Sequence, residues 1–372
     1  MTTTSRFTTL RAIEILRWGD VPHWNDLYGM WLQTHNSAFN LSHANLAGAN
    51  LKGVCLNGAD LTGTNLSNAD LSEANLSYSS LEDICFDNAN LENASFTGST
   101  LSNVSFKSCN LNYTDFTGTQ IQNCTFDNSS LHSSKMNFCM LDHLSFNGID
   151  ALEISLNSSL LKNIDLREVS LANCSLSCSQ INACDFEKAD ISSADLSFSQ
   201  FVSSPIKETN FSQSNLTKTN FSGCDLTSCE FELITGNSAN FSICNIIYCD
   251  FTCANLHNAN LQGAFINCCN FINTDLYAVN LRQAYTNNCD FSGACLEKII
   301  DISYSHDIMA EILKRNASDD IEKLKIAGLI HINVSWNWNS FKRFYHNEPP
   351  SNQQWLVSSL QSYPEIYKKC FA

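Results

Sequence analysis

From Leu41 to Leu61 the chain reads LSHANLAGANLKGVCLNGADL, and leucine returns at every fifth position, at Leu46, Leu51, Leu56 and Leu61. Followed outward, that register holds without a slip as far as Leu296. It defines 52 sites, and 49 of them hold Leu, Phe, Ile or Met; the exceptions are Ala151, Gly236 and Thr286. Two residues before the centre the residue is mostly Ala, Ser, Thr, Cys or Val, as at Ala44, Ala49, Val54, Ala59 and Thr64. The residue between them is very often Asn or Asp, as at Asn45, Asn50, Asp60, Asn65 and Asp70. A half-buried strand alternates with period two and an amphipathic helix repeats every 3.6 residues, so neither template produces a period of five. Self-similarity at a fixed spacing marks a solenoid.

The motif A-[N/D]-L-x-x, as in Ala44-Asn45-Leu46-Ala47-Gly48 and Ala259-Asn260-Leu261-Gln262-Gly263, resembles the pentapeptide-repeat family over 256 of the 372 residues. That resemblance implies an all-β solenoid, a right-handed four-sided β-helix with one pentapeptide per side and four per coil. The central Leu or Phe and the small residue two before it would point inward, and the other three positions would face water. Fifty-two repeats then give about 13 coils, and at ~4.8 Å per hydrogen-bonded strand they would extend about 62 Å. Residues 20 apart should stack, which makes columns of Phe86, Phe106, Phe126 and Phe146 and of Phe211, Phe231, Phe251, Phe271 and Phe291. The expected organisation is a helical N-terminal cap over 1–38, the β-helix over 39–298, and a small helical region over 299–372 that caps the solenoid or binds a partner.

Composition narrows the class further. Charged residues make up 16% of the chain against a typical ~25%, with Asn, Ser and Thr in their place. Hydrophobic residues, at 44%, are too many for a disordered chain. No run approaches the ~20 apolar residues of a membrane-spanning helix, and the N-terminal MTTTSRFTTLRAIEILRWGD lacks the pattern of a secretory signal. A cytoplasmic protein is expected. Eleven of the 18 cysteines, among them Cys109, Cys124, Cys229, Cys249, Cys269 and Cys289, fall at the small inward site. There a thiol acts as a small buried hydrophobe, and no pair has zinc-ligand spacing.

Between residues 41 and 296 stand 25 Asp and Glu against 9 Lys and Arg, whereas the flanks hold 12 of each. The whole excess of −16 therefore lies on the repeat. An acidic β-helix is similar to the quinolone-resistance branch of the family, whose members mimic duplex DNA and occupy type II topoisomerases. Duplex DNA, however, carries about one charge per 1.7 Å, more than twice what this repeat supplies. The column Arg167, Glu187, Lys207 beside Glu168, Lys188, Glu208 reads as alternating charge across rungs, a source of stability. Stacked acids are different. Asp165 above Asp185 and Glu230 above Asp250, together with Asp190 and Asp195, are candidate partner-binding residues, as solvated acids or as contacts for a cation or a basic partner.

All six tryptophans lie outside the repeat, at Trp18, Trp24, Trp31, Trp336, Trp338 and Trp355. Solenoids need their ends covered, and residues 5–32 read as one or two short helices. After Leu296, Ser305 is placed to start a helix running through Lys314, and Asp319 and Asp320 open a second. Residues 330–338 alternate and fit either a strand or the continuation of that helix, with helix favoured. Trp336, Trp338 and Phe341 are the candidate partner-binding aromatics of this region.

Nine scattered histidines form no metal-binding spacing, and no glycine-rich phosphate loop is present. An unbroken register also leaves no loop to enclose a pocket. The expectation is a non-enzymatic protein-interaction scaffold without cofactor, direct nucleic-acid contact or membrane contact, whose partner is an unknown protein. Two other readings stand beside it: a DNA-mimicking binder of a type II topoisomerase conferring inhibitor or toxin resistance, and a bacterial effector acting in a host cell.

Overall fold

The computed structural model describes residues 8–35, 37–333 and 337–371. Compact packing divides the chain into two units, the first reaching Ser199 and including Ser203–Pro205, the second comprising Gln200–Val202 and everything from Ile206. Both are built on a parallel β-solenoid.

In the first unit, helices α1 (Thr9–Arg17) and α2 (Val21–Thr34) precede the coils. Parallel bridges then join residues 20 apart, from Asn40 with Asp60 to Ser175 with Asp195. Six three-residue strands run in register: β1 (Ser80–Glu82), β2 (Thr100–Ser102), β3 (Gln120–Gln122), β4 (Met140–Asp142), β5 (Leu160–Lys162) and β6 (Gln180–Asn182). The second unit holds β7 (Gln200–Val202), β8 (Asn245–Ile247), β9 (Phe265–Asn267) and β10 (Tyr285–Asn287). Five helices follow: α3 (His306–Arg315), α4 (Ile321–Ile332), α5 (Trp338–Asn347), α6 (Pro350–Leu360) and α7 (Pro364–Phe371). Regular strands thus mark about ten turns, fewer than the 13 coils counted from the repeats. The remaining rungs close through single-residue bridges.

The repeat explains its own composition. The amide of each centre donates to the next coil, as Leu46 does to Asn65 at 2.8 Å, and the amide of Asn65 returns to Ala44 at 2.9 Å. The residue two after the centre donates forward, as Asn68 does to Asp87. Three after the centre, the amide closes a turn, as Ala69 does on Leu66. Outside the three-residue strands, the amide directly after the centre has no backbone acceptor. The Asn or Asp before the centre supplies one: Ser67 donates to Asn65 Oδ1 at 3.0 Å and Ser192 to Asp190 Oδ1 at 3.1 Å. The preference for Asn and Asp is therefore backbone satisfaction at a corner.

Inward, the centres are buried and like rings stack along the coils. Phe86, Phe106 and Phe126 follow one another at 5.1 and 4.9 Å, and Phe231, Phe251 and Phe271 at 4.7 and 4.9 Å. Adjacent columns meet edge to face, as at Phe86 and Phe96, an arrangement aromatic quadrupoles favour. The small inward site is more specific than a space-filler. Thr64 Oγ1 donates to the Leu41 carbonyl at 3.0 Å, Ser79 Oγ to that of Leu56 at 3.0 Å, and Cys109 Sγ to that of Phe86 at 3.0 Å. Thr, Ser and Cys exchange there because each donates to the same carbonyl. Burial pushes the Cys109 thiol up to about 12 and the Cys124 thiol to about 11, so both stay protonated.

Candidate interaction surfaces

Successive repeats turn onto successive sides, which decides what the acids can do together. Asp165 and Asp185 pair across one ladder, while Asp190 pairs with Ser170 and Asp195 with Ser175 on two others. Asp185, Asp190 and Asp195 therefore occupy three sides and form no cluster. Asp165 is not left to repel Asp185, because the Arg167 guanidinium bonds it at 2.5 Å and lies 3.8 Å from Asp185. That hydrogen bond holds the Asp165 carboxyl below the usual carboxylate range. Arg167 thus turns chiefly to these two aspartates, with Glu187 adding to the favourable field on its guanidinium. In the second unit Glu230 pairs with Asp250, and Asp250 accepts from Thr252 N at 2.8 Å. Lys207 reaches Asp225 at 3.1 Å.

Of the candidate aromatics, Trp336 lies outside the described residues. Phe341, on α5, is 2% exposed and belongs to the packing of the helices. Trp338 is half-buried, with the Lys369 ammonium 5.7 Å over its ring.

Sequence reasoning missed a different group. The residue two after each centre has φ between +50 and +77°, whether it is glycine or not. Glycine suits this left-handed backbone, and Asn tolerates it, but bulky residues rarely adopt it. In the first unit Tyr78, Phe138 and Phe198 do, and Phe138 is 67% exposed beside the exposed Met140. The second unit has Leu233, Tyr248 and β-branched Ile243, the last 72% exposed. Gly98 shows how such a residue is accommodated: a Cβ there would stand 2.6 Å from the Tyr78 ring, which lies across it. The signal was present in the sequence, as large apolar residues at a position mostly given to Gly, Asn, Ser and charged residues.

The coil ends are closed by side chains. At the start, Trp24 Nε1 donates to the Cys55 carbonyl at 2.7 Å and Tyr28 OH to that of Asn57 at 2.7 Å. Asn25 both donates to the Gly53 carbonyl and accepts from Cys55 N. At the other end Arg315 donates to the carbonyls of Ala294 and Phe291 at 2.7 and 3.0 Å. Asp307 Oδ2 accepts the amide of Cys289 at 3.1 Å, as a further rung would.

Burial raises the Asp307 carboxyl above its ordinary value. A raised acid contributes stability below its unfolded pKa and loses it as pH rises through its folded pKa. Asp307→Asn keeps the acceptor for Cys289 and removes the titration. Its stability relative to the native chain should therefore be more favourable at neutral pH than near pH 4, as urea midpoints at the two values would show. A difference independent of pH would mean that Asp307 titrates as in the unfolded chain.

Among the described residues no helix is long and apolar enough to cross a membrane, and no group of three or more His, Cys, Asp or Glu could hold a metal ion.

Comparison with known proteins agrees with this architecture. The model of the pentapeptide repeat region matches residues 35–116 and 79–156. That of pentapeptide repeats in eight copies matches 164–204, 206–232, 239–276 and 269–299. No curated protein sequence matches significantly. Among solved structures, HetL of the cyanobacterium Nostoc sp. strain PCC 7120, a pentapeptide repeat protein involved in heterocyst differentiation regulation, is 21% identical. The match covers 74% of this chain and 92% of HetL, with a TM-score of 0.21. QnrB1, a plasmid-mediated fluoroquinolone resistance protein, is 17% identical over 59% of this chain and 88% of its own, with a TM-score of 0.28. These figures carry nothing about activity. With the repeat models spanning well over half of its length, the chain belongs to the pentapeptide-repeat family.

Proposed function

We propose that this protein is a non-enzymatic interaction scaffold and that large apolar residues at its corners are contact points for protein partners. The observation that supports this reading is the placing of Phe138, Phe198 and Ile243 in solvent on left-handed backbone. The conformation costs a bulky L-residue about 1–2 kcal/mol, and the side chains of Phe138 and Ile243 bury little in return. Phe138→Asn with Phe198→Asn should keep or raise the unfolding midpoint and remove specific proteins from those captured by the native chain. An unchanged set of captured proteins would overturn the reading.

The confinement of the whole net charge of −16 to residues 41–296 favours a second reading, a DNA-like contact with a type II topoisomerase. Such binding would be electrostatic and would weaken steeply with salt. A supercoiling assay with purified protein at low and moderate salt tests it; no inhibition, inhibitor protection or binding at either salt would remove it.

A further inference from the structure

One corner of the first unit differs from the other three. Its left-handed residues, taken in steps of 20 from Tyr78 to Phe198, read Tyr, Gly, Gly, Phe, Ser, Cys, Phe. The outward columns beside it run from Ser77 to Ser197 and, at the first residue of each of β1 to β6, from Ser80 to Gln180. None of these 20 residues is charged, whereas the other corners of the same rungs include Asp83, Glu153 and Glu168. The neutral strip spans six rung spacings, about 29 Å. At its middle Phe138 is 67% exposed, Met140 54%, and Leu160 half-buried; Tyr78 and Phe198 are exposed towards its ends.

Two features suit this strip to burial against another surface. Its central polar groups already answer one another. Asn137 Oδ1 accepts from Ser155 Oγ at 2.7 Å and from Asn157 N at 2.8 Å, and Asn157 Oδ1 accepts from Ser177 N at 2.9 Å. Covering them therefore costs little, because their hydrogen bonds do not depend on water. Its aromatic residues also stand at every third rung, about 14 Å apart, with small residues on the two rungs between: Gly98 and Gly118, then Ser158 and Cys178. The Tyr78 ring lies across Gly98, but a Cβ on Gly118 would meet nothing within 4 Å.

Resting on the reading that exposed apolar corners are contact points, we infer that the partner at this corner is a second copy of the chain, lying antiparallel along the strip. Spacing is the first reason. A stack with the same ~4.8 Å rung stays in step over the whole length, and a shift of one and a half rungs brings the aromatic residues of each copy to the gaps of the other. Charge is the second. Two copies, each with a net charge of −16, repel wherever acid faces acid, and this strip lets them touch without that opposition. Two strips face to face would bury on the order of 1,000 Å² in total, the lower end for a specific contact, so the dimer exchanges with monomer.

Sedimentation velocity on the full chain, over a hundredfold range of concentration and at low and moderate salt, tests the proposal. A reversible monomer–dimer equilibrium is expected, and added salt should strengthen it by screening the mutual repulsion, opposite in sign to an electrostatic contact with a basic partner. Phe138→Asn should weaken dimerisation by about tenfold or more. Ser158→Asp should weaken it by about the same factor through the like charges it brings together, with every aromatic residue in place and on a left-handed position that accepts Asp, as at Asp83. Ile243→Asn, at an exposed corner of the second unit, should leave the dimer unchanged. Circular dichroism of each variant should match the native chain. A monomer at every concentration and both salts, a dimer weakened by salt, one indifferent to both strip variants, or one that Ile243→Asn weakens equally would overturn the proposal. Should the chain prove monomeric and Phe138→Asn with Phe198→Asn still remove captured proteins, the corner-contact reading stands and the partner at this corner is a different protein.

Discussion

Trp24→Ala should cost about 3–5 kcal/mol, the usual range for removing a buried tryptophan. Trp24 is fully buried, stacks on Tyr28 at 5.1 Å, and meets Phe39 edge to face at 5.5 Å. It also carries the donor for the Cys55 carbonyl, so the alanine leaves a cavity and an unanswered acceptor together. Trp24→Phe keeps most of the ring and loses only the donor, and should recover more than half of the deficit. Denaturant midpoints of the three proteins check this. An alanine variant within about 1 kcal/mol of the native chain would mean that the first rung holds without its helices.

Removing residues 297–372 should have an effect of another kind. Phe291 and Leu296 would lose their cover, and the carbonyls and amide now answered by Arg315, Asp307 and Tyr363 would open to solvent. An uncovered rung is a template for pairing with another chain. The truncated protein should therefore associate in a concentration-dependent way by light scattering, with a lowered unfolding midpoint. A monomer of native stability would show that the helices serve something other than the end of the coil.

What could be read in advance followed from repetition. Leu41 to Leu296 fixed which residues face inward, and the columns of Phe86 and Phe211 stand as the 20-residue spacing implied. Helix starts were also legible from local chemistry: α3 begins after Ser305, and α4 after Asp320, whose carboxylate accepts from Glu322 N and Lys323 N. Yet the Ser305 hydroxyl makes no capping bond. The segment that fitted either strand or helix resolves in part, since Ile330–Ile332 finish α4. Less legible was anything set by backbone conformation or by neighbours distant in sequence. Ten glycines hint at the left-handed position, but Asn, Ser, Glu and even Ile occupy it elsewhere and hide it. Asp307 stands in the first turn of α3, and only the packing of α3 against the last rung turns its carboxylate into a surrogate backbone acceptor. The acids read as candidates proved to share a bonding pattern more than a place, because residues five apart must fall on different sides.

The fixed pairing of residues 20 apart constrains how such a chain can change length. Within one unit, loss of a single five-residue repeat would turn every later side by a quarter revolution, so that phenylalanine columns would run into leucine ones and each exposed corner would point elsewhere. Loss of four consecutive repeats would shorten the stack by one storey and leave every column aligned. Duplication and deletion in steps of 20 residues are therefore the changes that adjust reach while keeping direction, whereas steps of five re-aim a surface at the cost of re-pairing its core.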